Sequence, residues 1–134
     1  MLQNMYIFRQ LFYWMCLGML GLSACEGQSQ GLLPAKDFQQ KIKATAGVQL
    51  LDVRSPDEFA QGYIPGAKNI NYSSLDFRAQ VAKLDKKRPV LVYCLSGIRS
   101  ARAVSILREM GFQVQDLAGG FRAWASQGLP IEKP

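Results

Sequence analysis

From Pro34 onward the chain alternates between two apolar patterns: short, nearly continuous runs, and longer stretches in which apolar side chains recur every three or four positions. The runs VQLLDV (Val48 to Val53) and PVLVY (Pro89 to Tyr93) suit strands covered on both faces. FQVQDL (Phe112 to Leu117) alternates as a strand does, and a further short strand is expected about Lys68 to Asn71. Helical spacing covers Pro34 to Thr45, where Phe38 and Ile42 share a face before Gly47. In SPDEF, Ser55 is set to cap a helical turn with Pro56 at its first position, and GYIPGA (Gly62 to Ala67) is turn chemistry. A helix capped by Ser73 or Ser74 is expected through about Leu84, with Leu75, Val81 and Leu84 apolar. Another runs from about Ser100 to Met110 with Ala103, Val104, Leu107 and Met110 on one stripe, closed by Gly111. GGFRAWASQG (Gly119 to Gly128) adds a Gly-Gly turn and a last short helix, in which Phe121 and Trp124 are expected to serve the core. Strands and helices in alternation predict an α/β domain with a central, mainly parallel sheet flanked by helices.

The first 24 residues follow neither pattern. Arg9 is their only charge, and Leu11 to Ala24 is apolar throughout except for Ser23, a stretch shorter than the ~20 residues that span a bilayer as a helix. Such a length fits the core of a signal peptide. LSAC (Leu22 to Cys25) follows and resembles the bacterial lipobox, which implies cleavage after residue 24, a lipid on Cys25 and a tether through residue 33. The implied location is a bacterial membrane, with the domain in the periplasm. Glu26 after the cysteine resembles the sorting pattern that permits transfer to the outer membrane. A plain apolar anchor or a buried N-terminal helix is the alternative.

This changes the cysteine count. With Cys16 removed and Cys25 lipidated, Cys94 is the one remaining thiol and has no intramolecular disulfide partner. The formal charge of +6 becomes +5 once Arg9 is removed. The Lys and Arg residues are scattered, which favours solvated faces and some anion attraction over a nucleic-acid surface. The absence of histidine excludes Ser-His-Asp hydrolysis, Cys-His proteolysis and histidine-ligated metals. No metal, flavin or nucleotide motif is seen.

Cys94 stands where the chain leaves a buried strand and enters a helix, the place at which parallel sheets bind ligands. Gly97 permits a positive φ and a curl of inward-facing amides, Ser96 and Ser100 offer hydroxyls, and the helix start adds unpaired N–H groups. Arg99 adds a permanent positive charge. Together these favour a thiolate and make a nucleophile without a general base. An ordinary buried thiol is the bland alternative. Leu95 and Ile98 either narrow the mouth or pack against the last helix. Asp52, Arg54 and Glu58, around the end of the first long strand, are read as a supporting network of paired charges rather than substrate groups.

The loop CLSGIRS resembles the active-site loop of single-domain rhodaneses, a sulfurtransferase family. LLDVRSPDEFAQGYIPGAKNI (Leu50 to Ile70) is similar to the family's first signature and LAGGFRAWASQGLP (Leu117 to Pro130) to its C-terminal one. The likeness covers residues 34–130 and implies a three-layer rhodanese-like domain. It further implies that Cys94 cycles between thiolate and persulfide. Arg99 and the loop Leu95, Ser96, Gly97, Ile98 and Ser100 would hold a small anionic sulfur donor and the charged intermediate, and cyanide, a thiol or a protein would accept the sulfur. No cofactor or metal is implied. Tyr63 stands where the family usually has histidine and is read as support for its turn. Cysteine phosphatases and arsenate reductases use a similar cradle, but with C-x5-R in place of the C-x4-R from Cys94 to Arg99; a persulfide carrier or docking domain would share the loop.

Overall fold

The computed structural model describes residues 31–134; the expected signal sequence, with Cys16, and Cys25, the expected site of lipidation, lie outside the described residues. In chain order the elements are β1 (Leu32–Leu33), α1 (Ala35–Ala44), β2 (Gln49–Asp52), α2 (Pro56–Ala60), β3 (Lys68–Asn69), α3 (Phe77–Val81), β4 (Val90–Tyr93), α4 (Ile98–Glu109), β5 (Val114–Leu117) and α5 (Gly120–Ser126). The strands form one five-stranded sheet in the order β1-β5-β4-β2-β3, and every pairing is parallel.

The continuous apolar runs follow from burial on both faces. Along β4, Val90 and Val92 turn to a layer built with Phe77 and Val81 of α3 and Ala103, Val104 and Leu107 of α4. Leu91 and Tyr93 turn the other way, to Ala35 and Phe38 of α1 and Trp124 of α5. Trp124 meets Phe38 edge-on at 6.4 Å and donates its indole N–H to Pro130 O, so it serves the core. The result is the expected three-layer α/β domain.

The termini of several elements differ from the sequence pattern. The tether expected through residue 33 includes β1, whose Leu32 and Leu33 pair with Asp116 and Leu117 of β5; two residues are too few to show a period. Neither Ser73 nor Ser74 caps α3, which begins only at Phe77 and ends at Val81. The serines are spent on tight turns instead: Ser73 N–H donates to Asn71 Oδ1 and Ser74 N–H to Asn71 O, local bonds that compete with helix. Leu75 is fully exposed as a consequence, while Leu84 still packs on the core. Finally, α4 begins at Ile98 rather than near Ser100, because Gly97 takes a left-handed conformation at φ +101° and acts as the N-cap.

The α4 stripe carries much of one layer. Leu107→Ala, at a site with no exposed surface, is expected to cost about 2–5 kcal/mol in denaturant unfolding. A loss below about 1 kcal/mol would mean that α4 does not pack on the sheet as described.

Candidate active site

Cys94 follows β4 directly and is only 1% exposed. Its position is set by the strand's register: it lies two residues beyond Val92, on the same face, beneath the start of α4. The early helix start brings the first-turn amides down onto the sulfur. Gly97 N–H donates to Cys94 Sγ at 3.0 Å. Ser100 is fully buried, and its hydroxyl faces the sulfur while donating to Gly97 O at 3.2 Å. Burial pushes the thiol's pKa up, but the Ser100 hydroxyl and the N–H groups of Ser100, Gly97 and Ser96 outweigh it and leave the pKa below the ordinary cysteine value. The site favours an anionic sulfur with N–H donors in place.

The underside of the loop is held by α5. Phe121 N–H donates to Cys94 O at 2.7 Å and Arg122 N–H to Leu95 O at 3.1 Å. Such an approach requires glycine at 120, whose φ is +62° and where a Cβ would lie 2.6 Å from Cys94 O and 2.7 Å from the Leu95 carbonyl carbon and oxygen. Arg54 presses on the same helix from below. Its guanidinium lies 4.2 Å from the Phe121 ring centroid and 5.6 Å from that of Tyr93. It is buried in an ion pair with Asp52 (Nη2 to Oδ2, 2.6 Å) and also donates to Gly62 O. Tyr93 OH in turn accepts from Ile64 N–H at 3.0 Å. This network ties the ends of β2 and β4, the turn at Gly62 and the floor of the loop into one unit. Asp52 and Arg54 pair with each other, as expected.

Glu58 joins a different partner. It closes the capping box of α2 with Ser55 and receives Arg99 in a fork: Nη1 to Oε2 at 2.7 Å and Nη2 to Oε1 at 2.8 Å. Arg99 holds its carboxyl down at about 2, helped by the Ser55 amide and hydroxyl and opposed by burial. The groups that do most to lower the Cys94 pKa are Ser100 and the loop amides, while Arg99, expected to help keep the sulfur ionised, couples to the sulfur's charge as a guanidinium already paired with Glu58.

Among the loop residues, Leu95 and Gly97 are half-buried and Ser96 is exposed. Ile98, the first residue of α4, is 65% exposed. Tyr63 stacks on Phe59 at 4.1 Å, and its backbone bridges to Glu132, in keeping with a role in the turn. Sequence patterns alone missed Tyr93, Phe121 and Gly120 as loop supports. They also missed Asp116, a 5%-exposed acid facing Ser100, although its shared parity with Val114 in the β5 alternation places it on a buried face. Among the described residues no group of acids and cysteines is placed to hold a metal.

A family model for the rhodanese-like domain matches residues 34–127. A sulfurtransferase of Allochromatium vinosum is 38% identical over 103 residues, covering 76% of this chain and 94% of that protein. A thiosulfate sulfurtransferase of Shewanella oneidensis is 41% identical over 78 residues, covering 58% of this chain and 75% of its own. The crystal structure of a rhodanese-related protein from Thermoplasma volcanium superposes with a TM-score of 0.69 at 33% identity, covering 76% of this chain and 97% of that one.

Two substitutions probe the supports. Gly120→Ala is expected to lower the melting temperature and slow alkylation of Cys94, because its methyl meets backbone. Gly128→Ala, also at positive φ (+66°) but with open space around it, should show only the conformational cost of about 1–2 kcal/mol and leave alkylation unchanged. Equal effects of the two would remove the argument for close approach. The lowered Glu58 pKa gives stability that is fully present above about 4.5, the ordinary value, and is lost as pH falls toward about 2. Thermal unfolding of wild type should show that loss, and Glu58→Gln should flatten the curve in that window.

Proposed function

The chain belongs to the rhodanese-like family of sulfurtransferases, and we propose that it moves sulfane sulfur from thiosulfate or a related anionic donor to cyanide or a thiol acceptor through a persulfide on Cys94. The observation that carries the proposal is the buried sulfur with converging N–H donors and a lowered pKa. The Cys94 thiolate attacks the outer sulfur of thiosulfate; a new S–S bond forms, the donor's S–S bond breaks, and sulfite departs with the electron pair. Charge is conserved, and the negative charge now rests on the terminal persulfide sulfur. The amides of the α4 start are suited to hold it, as oxyanion-hole donors hold a developing negative charge. Cyanide then takes that sulfur as thiocyanate and the thiolate returns. No proton needs to be supplied in either step, which suits a chain without histidine.

The ion pair with Glu58 also weighs between sulfur and phosphate chemistry. A cysteine phosphatase grips its substrate with the loop arginine, whereas both arms of the Arg99 fork are taken up by Glu58. The shorter C-x4-R loop points the same way. In this proposal Arg99 draws the donor toward the mouth and fixes α2 against the loop. The domain works at a membrane surface, held by a lipid on Cys25, with LSAC and the polar stretch after it as support.

Full-length protein treated with thiosulfate is expected to gain the mass of one sulfur atom at Cys94 and to produce thiocyanate when cyanide is added. Cys94→Ala should abolish both, and Arg99→Ala should cut kcat/KM by about tenfold or more, or at least ~1.4 kcal/mol in transition-state stabilisation. Efficient hydrolysis of aryl phosphates with no sulfur adduct would overturn the assignment. An adduct that forms but gives no steady thiocyanate would identify a carrier instead of a turnover enzyme.

A further inference from the structure

Asp116 is an acid in an apolar layer. It sits on β5 in register with Val92 of β4 on one side and Leu32 of β1 on the other, and it is 5% exposed. Its Oδ1 is buried without a hydrogen-bond partner among the described residues. A buried acceptor left unfilled costs free energy, and nothing in the packing of β5 requires a carboxyl there. Its parity in the strand places it with Val114 on the face covered by α4, the face that also holds Cys94 two residues beyond Val92. Ser100, fully buried on the first turn of α4, donates its hydroxyl to Gly97 O and acts on both groups, lowering the pKa of the Cys94 sulfur and of the Asp116 carboxyl. The other charge facing Asp116 is Arg108 of α4, while Arg99, paired with Glu58, lies toward the sulfur.

A hydroxyl has one proton to give and two lone pairs with which to accept. Ser100 therefore has three acceptors competing for one proton: Gly97 O, to which it donates in this structure, Cys94 Sγ and Asp116. We propose that Asp116 is a positioning residue for the reactive cysteine, acting through Ser100. Protonated, its carboxyl donates to Ser100 Oγ and leaves the serine proton for the sulfur; ionised, it draws that proton away and sets a second negative charge near the thiolate. One proton thus moves on or off Asp116 while the Ser100 O–H reorients, and no redox change is involved. Burial raises the carboxyl's pKa to about 6, against the opposing pull of Ser100, the Leu117 amide and Arg108. The exchange therefore falls a little below neutral pH. Coupling of this kind is reciprocal: whatever Asp116 does to the sulfur, the sulfur's charge does to Asp116.

The inference rests on Cys94 as the reacting group, but its test reads thiol ionisation and not sulfur transfer, so either can fail without the other. The rate of Cys94 alkylation by iodoacetamide, followed by mass spectrometry on the full-length protein, is measured against pH. Wild type is expected to show two inflections, one from the sulfur and one near pH 6 from Asp116. Asp116→Asn should abolish the inflection near pH 6 and lower the sulfur's remaining midpoint by on the order of one unit, about a tenfold change in thiolate equilibrium. Ser100→Ala should shrink that inflection to what the carboxylate's charge alone imposes and raise the sulfur's midpoint. A purely structural role for Asp116 would move neither. Carbon NMR of the Asp116 carboxyl in wild type needs no variant: blocking Cys94 with iodoacetamide, which removes the sulfur's charge, should lower the Asp116 midpoint. An inflection near pH 6 that survives Asp116→Asn or is undiminished in Ser100→Ala, or an Asp116 midpoint indifferent to blocking, would overturn the proposal.

Discussion

Burying a sulfur at the end of a strand ordinarily keeps it protonated, because a low-dielectric interior disfavours its charged form. Cys94 escapes that outcome through the geometry of a single turn. Gly97 takes a positive φ, α4 starts one residue later, and the first amides of the helix point at Sγ before they are needed elsewhere. Backbone dipoles cost nothing to reorient during reaction and carry no side-chain entropy, so the same donors can serve a thiolate and the persulfide that replaces it. The rest of the site can be understood as what keeps this turn in place.

Two ion pairs do that from different sides, and their burial differs. Asp52 and Arg54 are almost wholly buried. Such a pair is a weak source of net stability, since its desolvation offsets most of its attraction. Its value here is positional: Arg54 lies over Phe121, and Phe121 N–H holds the Cys94 carbonyl. Glu58 and Arg99 are each somewhat more than a quarter exposed and link the α2 cap to the first turn of α4. Arg99 is thereby tethered, its guanidinium shared between Glu58 and the field of the sulfur.

The layers of the fold were legible because burial on two faces writes itself into composition. β2 and β4 read as continuous apolar runs, and α4 shows its stripe in Ala103, Val104 and Leu107. What was not legible is what depends on distant neighbours. β1 has only two residues and exists because β5 offers an edge. The Ser73 and Ser74 positions look like helix caps until Asn71 claims them for a turn. In the site, Cys94, Gly97 and Ser100 were placed by local chemistry alone. The pairing of Arg99 with Glu58, 41 residues earlier in the chain, was not. Sequence could show a positive charge in the loop but not that its field was already matched. Asp116 was missed for a different reason: it shares the parity of Phe112 and Val114, which marks the inner face, but one acid there gives no sign of what it meets until α4 is laid over the sheet.

The most direct test concerns the sulfur's charge. Thiolate absorbance in the ultraviolet, recorded as the difference between wild type and Cys94→Ser across a pH titration of the folded protein, isolates this thiol from Cys16 and Cys25. The structure predicts a midpoint below the ordinary cysteine value. A midpoint at or above the ordinary value would contradict it.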